Sequence, residues 1–396
     1  MNVLHISMER GIVDIRIDVG VGSCAEPRLK YGISHFLEHC MFKGTKKRGA
    51  RELRRDAARI GGKLGAWTSF DHTVYHITAL KEEFENAFEL LADLFLNPDF
   101  PEKEIEKERI VVLDEIRRAE DRPSSFLHHL MAGKFWSHQI DHRILGSTES
   151  ITSLTRDEII QWRERYYSGK NIQLSVAGDI TSEQLIEVFD RYYRGESEKA
   201  PIVYPDVAFI PGENVFYKQG IVATYLFLGY PALPRTHKNH IAQRVMTYLL
   251  GGFASSLLFE RLREEMGLVY GVSAGILNTD AFNTLSIGTS AQSDDINLIE
   301  ANIKKIIEDI CSSKVSENQL VMAKASLLST LRMLAESPIG INQIIAAPYI
   351  KGDSKDMYKR MSEEIPQVTR EDILLVAEQT FREKPYIGRL WPKPVG

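Results

Sequence analysis

The sequence predicts an α+β fold of two similar domains, each a mainly antiparallel sheet packed against helices. Strand patterns occur in pairs beside pairs of helices, without the strict strand–helix alternation that is typical of a parallel sheet. The order strand, helix, short turn, helix in residues 73–116 returns at nearly the same spacing in residues 283–331. Residues 195–215 contain three prolines and few periodic apolar positions, which indicates a linker between the two halves.

The composition is that of a globular protein, and it excludes several classes of function. Hydrophobic residues make up 43% of the 396 positions, and 49 basic against 54 acidic residues give a formal charge of −5. A mildly acidic chain lacks the basic surface that binding to nucleic acid or to an anionic membrane requires. No apolar run reaches the roughly eighteen residues of a membrane span. The three cysteines are widely scattered, so we expect neither a disulfide framework nor a cysteine metal cage, and we expect a cytoplasmic protein.

Local patterns predict the individual elements of the first half. Alternating apolar and polar residues in 2–20, around a Glu9-Arg10-Gly11 turn, predict a β-hairpin. Ser34 is a candidate N-cap for a helix that continues until Gly44. The remaining helices are predicted at about 50–60, 81–96, 101–120 and 155–166, and the remaining strands within 66–80 and 171–180.

The internal repeat sets the predicted domain boundaries. Aligning the two copies places Thr330 opposite Glu115. Ala323 likewise falls opposite Glu108, so the acidic residues of this helix face are kept in one copy only, as a duplication with divergence would leave them. We predict an N-terminal domain at 1–194, a linker at 195–215 and a C-terminal domain at 216–396.

The string His35-Phe-Leu-Glu38-His39 carries the strongest chemical signal. In a helix, residues at i and i+4 lie one above the other, with Cβ atoms about 5–6 Å apart. Two imidazoles at this spacing can bind one Zn²⁺, and Glu38 shares their face and can reach a water beside the metal. The pattern H-x-x-E-H is the inverzincin motif, and it requires a third ligand from elsewhere in the chain. His237 and His240 lack nearby carboxylates, and we interpret them as surface or capping residues.

The predicted helix at 101–120 supplies two candidates for the third ligand. Glu108 and Glu115 are seven residues apart and therefore lie two turns apart on one helix face. That face is otherwise apolar around Val111 and Val112, and carboxylates in such surroundings need a compensating cation. These residues nominate Glu108 or Glu115 and do not choose between them.

Several further strings surround the H-x-x-E-H motif. They are FKGT at 42–45, GG followed by spaced Ala, Thr, Thr and Tyr at 61–75, a string ending in VVLDEI at 106–116, and LGGFASSLLFERLREEMGLVYGVSAG at 250–275. Together with HFLEH they resemble the pitrilysin and mitochondrial-processing-peptidase family. The similarity extends over nearly the whole chain and implies a half-size, two-domain member.

The resemblance implies roles for particular residues. In that family the third zinc ligand is a Glu at the distance from the second His that Glu115 has here, and Glu108, one heptad earlier, matches a supporting carboxylate at the catalytic centre. An Arg and a Tyr seven residues apart help to hold the substrate, and the matching positions are Arg263 and Tyr270. Gly65 departs from the pattern, because the family usually has at this position an Asn that helps to align the peptide.

These expectations describe a zinc-dependent endopeptidase with one Zn²⁺ per chain. A zinc-bound water would attack the peptide bond, with Glu38 as general base. In the family, two half-size chains enclose a chamber in which the Arg/Tyr pair serves the zinc of the facing protomer. This chain matches both half-sites, so the resemblance implies a homodimer that cleaves short or unfolded peptides. Two alternatives stay open: a subunit of a heterodimeric processing peptidase, and a non-catalytic structural or peptide-binding homologue.

Overall fold

Two five-stranded sheets organise the chain. The computed structural model describes residues 2–140, 143–193, 202 and 204–393. The described residues of Met1–Arg117, His142–Tyr204 and Met333–Tyr358 form one compact unit, and those of Arg118–Asp141, Pro205–Arg332 and Lys359–Gly396 form the other. Residues 194–201 and 203, at the predicted linker, lie outside the described residues, and the domain boundaries stay a prediction.

The first half of the sequence supplies the strands and helices around the candidate metal centre. The strands are β1 Asn2–Ser7, β2 Ile12–Val19, β3 Lys63–Thr68, β4 Thr73–Leu80 and β5 Ile172–Gly178. The helices are α1 Ile33–Met41, α2 Ala50–Arg59, α3 Phe84–Leu96, α4 Glu102–Asp121, α5 Pro123–Met131, α6 Thr148–Ser153, α7 Arg156–Tyr166 and α8 Ser182–Tyr192.

The second half repeats the pattern of strand pairs and helix pairs. Its strands are β6 Gly212–Lys218, β7 Thr224–Pro231, β8 Val272–Asn278, β9 Asn283–Ala291 and β10 Tyr386–Pro392. Its helices are α9 His240–Gly251, α10 Leu257–Phe259, α11 Ile296–Cys311, α12 Glu317–Ala335, α13 Pro338–Ile350, α14 Met357–Glu364 and α15 Arg370–Thr380. Every helix in the described part of the chain is too short or too polar to cross a bilayer.

The two sheets have the same topology. The strand order is β1-β5-β2-β4-β3 in the first sheet and β6-β10-β7-β9-β8 in the second, so adding five to each strand number converts one order into the other. In each sheet the pair at one edge, β1 with β5 or β6 with β10, is parallel, and the other pairs are antiparallel. This identity confirms the predicted α+β fold of two similar domains with mainly antiparallel sheets.

The predicted hairpin at 2–20 is wrong. β1 pairs in parallel with β5, and β2 lies between β5 and β4, so β1 and β2 are not neighbours. Alternation in the sequence identifies a strand and its two faces, whereas its partner is chosen by contacts that lie far away in the sequence. Here β5, more than a hundred residues later, separates the two strands.

A helix from the second half of the sequence covers the polar face of β2. Asp14, Arg16 and Asp18 are each at most 2% exposed. Asn342 of α13 donates a hydrogen bond from Nδ2 to Asp14 Oδ2 at 2.8 Å, and Arg16 donates from Nε to Asp18 Oδ2 at 2.8 Å. Buried polar groups need such partners, and the bond from Asn342 helps to fix the position of α13 on the sheet.

A buried ion pair ties the end of α13 to the turn between β3 and β4. The ammonium group of Lys351 contacts the Asp71 carboxylate, and the two side chains are 6% and 1% exposed. His72 Nδ1 lies 2.8 Å from Asp71 Oδ1. Burial opposes ionisation of Asp71, but the hydrogen bond to His72 and the charge of Lys351 outweigh it and lower the pKa of this carboxyl. The turn is therefore held by charge as well as by backbone pairing.

We predict that Lys351→Met lowers the free energy of unfolding by about 3 kcal/mol, because it leaves a buried carboxylate without its cation. Urea unfolding of the two proteins at neutral pH measures the difference. The exposed Lys355 provides a matched control, and Lys355→Met should leave stability nearly unchanged. Equal stability of both variants would contradict a structural role for the Lys351–Asp71 pair.

His240 begins α9 and is 5% exposed, so its interpretation as a surface or capping residue is wrong. Burial, followed by the charges of Arg244, Arg235 and Arg360, lowers the pKa of His240 from its usual 6.5 to about 4. The unfolded chain therefore binds this proton at a higher pH than the folded chain. The stability that neutral His240 contributes is present above its unfolded pKa and is lost as the pH falls from about 6.5 to about 4.

We predict that His240→Gln flattens the acid side of the stability profile, since a difference of one in pKa between the folded and unfolded chain corresponds to about 1.4 kcal/mol. Urea unfolding at about pH 7 and about pH 5 should show a smaller difference for the variant than for the wild type. His237→Gln serves as the control, because His237 is partly exposed. An unchanged pH dependence in His240→Gln would contradict the assignment.

Candidate metal centre

Helix α1 begins at Ile33, and a distant carboxylate caps it. Glu26 accepts hydrogen bonds from the backbone N–H groups of Gly32 at 2.7 Å and Ser34 at 2.9 Å. Gly32 has φ 91°, and a Cβ there would lie 2.8 Å from the carbonyl oxygen of Leu145, so the turn requires glycine. The prediction of Ser34 as the N-cap is wrong. The side chain of Glu26, which lies in the loop before the helix, caps it instead.

One face of α1 anchors the helix in the core. Phe36, Leu37, Cys40 and Met41 are fully buried in the apolar cluster of the first unit. Burial raises the pKa of the Cys40 thiol, so this cysteine stays protonated and packs as a small apolar group. The opposite face is thereby held towards α4.

The structure brings together His35, His39 and Glu115. His35 Nε2 lies 3.7 Å from Glu115 Oε2, and His39 Nε2 lies 3.5 Å from the same oxygen. The candidate ligand atoms of these three residues all lie within 4.8 Å of one another. No other group of three or more His, Cys, Asp or Glu side chains in the described ranges comes together in this way.

These distances fit a single zinc ion. Tetrahedral coordination with bond lengths of about 2.0–2.1 Å places ligand atoms about 3.3–3.4 Å apart, close to the 3.5 and 3.7 Å found here. Glu115 is 41% exposed in its side chain, so the centre stays open to solvent on one side. Two imidazoles and one carboxylate form the donor set of a candidate mononuclear metal centre, and the accessible side leaves room for a further ligand such as water.

The protonation state of His35 also favours metal binding. Burial, followed by the charge of His39, lowers the pKa of His35 to about 3, so its imidazole is neutral at physiological pH. Its Nδ1 is buried and finds no hydrogen-bond partner among the described residues. A metal ligand must be unprotonated at the coordinating nitrogen, and His35 meets this condition before any cation binds.

Glu108 contacts His39 and does not belong to the group of His35, His39 and Glu115. His39 Nδ1 lies 2.8 Å from Glu108 Oε1, and the ammonium group of Lys43 contacts the other carboxylate oxygen. Burial would lower the pKa of His39, but the hydrogen bond to Glu108 and the nearby carboxylates outweigh it and raise the pKa. An N–H donated to a carboxylate leaves Nε2 free for the metal and makes it a stronger ligand.

We predict that Glu108→Gln weakens zinc binding by about 10- to 100-fold, because the amide keeps the shape but loses the charge that orients His39. Competition with a zinc-binding dye measures the dissociation constant. Glu102→Gln, an exposed change on the same helix, should leave it unaltered. Equal affinity in the two variants would contradict the role of Glu108.

Glu38 lies beside His39 and Glu115 and is 8% exposed. Its Oε2 accepts a hydrogen bond from Thr68 Oγ1 at 2.6 Å. Burial raises the pKa of Glu38, and the bond from Thr68 opposes that shift without cancelling it. A carboxylate with a raised pKa is a stronger proton acceptor than an ordinary one, which suits a general base. Sequence reasoning missed Thr68 as the residue that fixes Glu38, although Thr68 belongs to the spaced pattern at 61–75.

The second unit has the corresponding helices without the metal donors. Tyr248 of α9 places its hydroxyl 3.0 Å from Thr330 Oγ1, at the position that the internal repeat aligns with Glu115. A Cβ at Gly252 would lie 2.4 Å from the Tyr248 ring, so the glycine leaves room for that ring. A tyrosine and a threonine hydroxyl are in contact here, whereas the matching helix of the first unit carries Glu115.

Arg263 and Tyr270 are neighbours in the second unit. Arg263 lies in a π-helical turn, Glu260–Glu265, and its guanidinium carbon is 4.8 Å from the Phe259 ring and 5.1 Å from the Tyr270 ring. Tyr270 is 88% exposed. Single π-turns often occur at functional sites, and two nearby rings help to hold a guanidinium in place. Arg263 Nε also lies 3.6 Å from Glu264 Oε1.

Gly65 lies opposite His76 in the neighbouring strand. It registers with His76 across the β3–β4 pair, and a Cβ at Gly65 would lie 2.9 Å from His76 Nε2. The His76 ring therefore occupies the space that a side chain at position 65 would need. This contact explains why an Asn at position 65 would require His76 to move.

Comparisons with known proteins identify the family. The family described as insulinase, peptidase family M16, matches residues 3–148, and the peptidase M16 inactive domain matches residues 153–327. The chain belongs to peptidase family M16. The resemblance drawn from the sequence motifs is thus confirmed, and the second match covers Tyr248, Arg263 and Tyr270.

Named relatives and solved structures agree with this assignment. The chain is 30% identical to the uncharacterized zinc protease YmxG of Bacillus subtilis over 82% of this chain and 80% of the relative. It is 28% identical to an uncharacterized zinc protease of Rickettsia felis over 93% of this chain and 90% of that relative. A crystal structure of a protease from Helicobacter pylori superimposes with TM-score 0.92 at 22% identity, covering 99% of this chain and 97% of that chain. A crystal structure of a peptidase M16 inactive domain from Pseudomonas fluorescens superimposes with TM-score 0.89 at 18% identity, covering 99% of this chain and 96% of that chain. The two structures share the fold.

Proposed function

We propose that this chain is a zinc-dependent endopeptidase that hydrolyses short or unfolded peptides. The observation that carries the proposal is the convergence of His35, His39 and Glu115, with Glu38 held beside them. These three residues would hold one Zn²⁺, which when bound supplies the Lewis acidity that activates water and polarises a carbonyl. The relatives named as zinc proteases support the choice of metal.

The chain's own residues provide the proton transfers. Glu38 accepts the proton of the attacking water at its carboxylate and delivers it to the leaving amine. Thr68 holds Oε2 of Glu38, which keeps the carboxylate in one orientation during both transfers. Glu108 holds His39 in the tautomer that presents Nε2 to the metal.

We further propose that Arg263 and Tyr270 hold the substrate from the facing chain of a homodimer. Support comes from the exposure of Tyr270 and from the stacking that pre-orients the Arg263 guanidinium. The guanidinium N–H groups and the phenol O–H group can donate hydrogen bonds to a peptide carbonyl and to the oxyanion that develops from it.

The three cysteines are free, which supports the proposal of a reducing, cytoplasmic location.

Incubation of the purified chain with an internally quenched, unstructured peptide tests the proposal. We expect cleavage by the chain alone after loading with one equivalent of zinc, loss of cleavage with a chelator, and recovery when zinc is restored. Size-exclusion chromatography should show a dimer. A pure, zinc-loaded chain that cleaves no peptide would overturn the proposal and favour a subunit that needs a different partner, or a non-catalytic homologue.

A further inference from the structure

We propose that Arg54 and Lys63 make this chain prefer peptides with an acidic side chain next to the scissile bond. This preference presupposes the proposed peptidase activity and adds a substrate class to it. It follows from the shape and charge of a cleft beside the metal centre.

The cleft has a volume of about 590 Å³ and reaches the candidate general base. Glu38 and His39 line it at the metal centre, and Phe42, Ala57 and Leu64 contribute apolar wall. Pockets that bind small ligands usually have volumes of about 300–1,000 Å³ and combine apolar walls with a few polar groups. A side chain of a peptide whose scissile bond lies at Glu38 can therefore enter this cleft.

Three cations line the cleft: Lys43, Arg54 and Lys63. Lys43 is engaged by Glu108. Arg54 and Lys63 form no side-chain hydrogen bond or ion pair with any residue in the described ranges. The nearby Arg48, in contrast, is fully engaged by acidic groups of α2 and α3.

Arg54 and Lys63 belong to two different elements that line the cleft. Arg54 and Ala58 both line it and are one turn apart on α2, so this face of the helix forms one wall. Lys63 begins the edge strand β3. The cleft also contains Glu38, whose charge lies at the metal end and would be offset by a bound dication. A carboxylate that enters from the substrate would therefore meet two cations that no protein carboxylate in the described ranges neutralises.

Kinetics on paired peptides test this preference. The peptides carry Glu or Gln at each of the two positions on either side of the scissile bond, and the readout is the Glu/Gln ratio of kcat/KM. We expect the wild type to favour Glu about fivefold at one position, as two partly exposed ion pairs allow. The ratio should approach one in about 1 M salt, which screens such pairs. No preference for Glu at any position would overturn the inference.

Charge reversal identifies the residues responsible. Arg54→Glu/Lys63→Glu should invert the Glu/Gln ratio, and Arg54→Lys should keep it. Arg55→Glu, an exposed reversal on the same helix that does not line the cleft, should also keep it. If the double variant does not fold, each single reversal should lower the ratio by about half of the total effect on a logarithmic scale. A Glu preference that persists in the reversed variants would assign it elsewhere and overturn the inference.

Binding separates failure of this inference from failure of the proposed function. The same peptides, fluorescently labelled, can be titrated into the zinc-loaded Glu38→Gln variant, in which we expect cleavage to be too slow to consume them during the measurement. One outcome is that the wild type cleaves no peptide, while Glu peptides still bind several-fold more tightly than Gln peptides and reversal of Arg54 and Lys63 removes this difference in affinity. In that case the peptidase proposal fails and the cleft preference stands. Equal binding of Glu and Gln peptides overturns the cleft preference whatever the activity.

Discussion

Glu38→Gln is expected to reduce kcat for peptide cleavage by about 10²- to 10⁴-fold while the protein still binds one zinc per chain. The amide has nearly the same shape as the carboxylate and can still accept the hydrogen bond from Thr68. It cannot accept a proton from water. The expected result is therefore a folded, metal-loaded protein that has lost the proton-transfer step.

Initial rates with an internally quenched peptide, together with metal analysis of the same samples, measure both properties. Glu102→Gln makes the same chemical change at an exposed position of α4 and should retain wild-type rates. Wild-type cleavage by Glu38→Gln would show that another group is the base. Loss of zinc from this variant would show that Glu38 is a ligand.

Glu115→Ala should remove one of three protein ligands and weaken zinc binding by more than about a hundredfold, beyond the loss expected for the supporting carboxylate Glu108. Cleavage at stoichiometric zinc should disappear with the metal. The side chain of Glu115 is 41% exposed, so its truncation should leave the fold intact. Circular dichroism checks the fold, and a zinc-binding dye checks the affinity.

Glu102→Ala is the matched control for this truncation and should bind zinc normally. If Glu115→Ala kept wild-type affinity while Glu108→Ala lost it, the third ligand would be Glu108. That result would reverse the roles that the structure gives to the two carboxylates.

The residues of α1 illustrate what local sequence can predict. The spacing of His35, Glu38 and His39 fixes their common helix face, because helical geometry depends only on nearby residues. The cap of the same helix could not be predicted, since Glu26 reaches it across a turn that no helix-start pattern describes. Ser34, the residue that the pattern favours, lies inside the helix and is buried.

The choice of the candidate third ligand shows how far local sequence patterns can predict a site. Glu108 and Glu115 share one face of α4, and helical periodicity treats them alike. The way α4 docks on α1 separates them, placing Glu115 against both imidazole Nε2 atoms and Glu108 against His39 Nδ1 and Lys43. Docking is decided by tertiary packing, so only the family resemblance could anticipate the outcome.

Strand partners and the position of α13 required the same long-range information. The alternation in β2 gives its two faces correctly, but the insertion of β5 beside it depends on residues from a distant part of the sequence. Likewise, the bond from Asn342 to Asp14 joins opposite ends of the chain. The fold class was predictable because it follows from the order of elements, and these pairings were not.

X-ray absorption spectroscopy at the zinc edge of the loaded protein tests most directly whether His35, His39 and Glu115 hold one zinc. The structure predicts nitrogen and oxygen neighbours at about 2.0–2.1 Å from the zinc, with more distant scattering from two imidazoles. The imidazole scattering should fall in His39→Ala. Sulfur neighbours at about 2.3 Å, or a spectrum without histidine, would contradict the account.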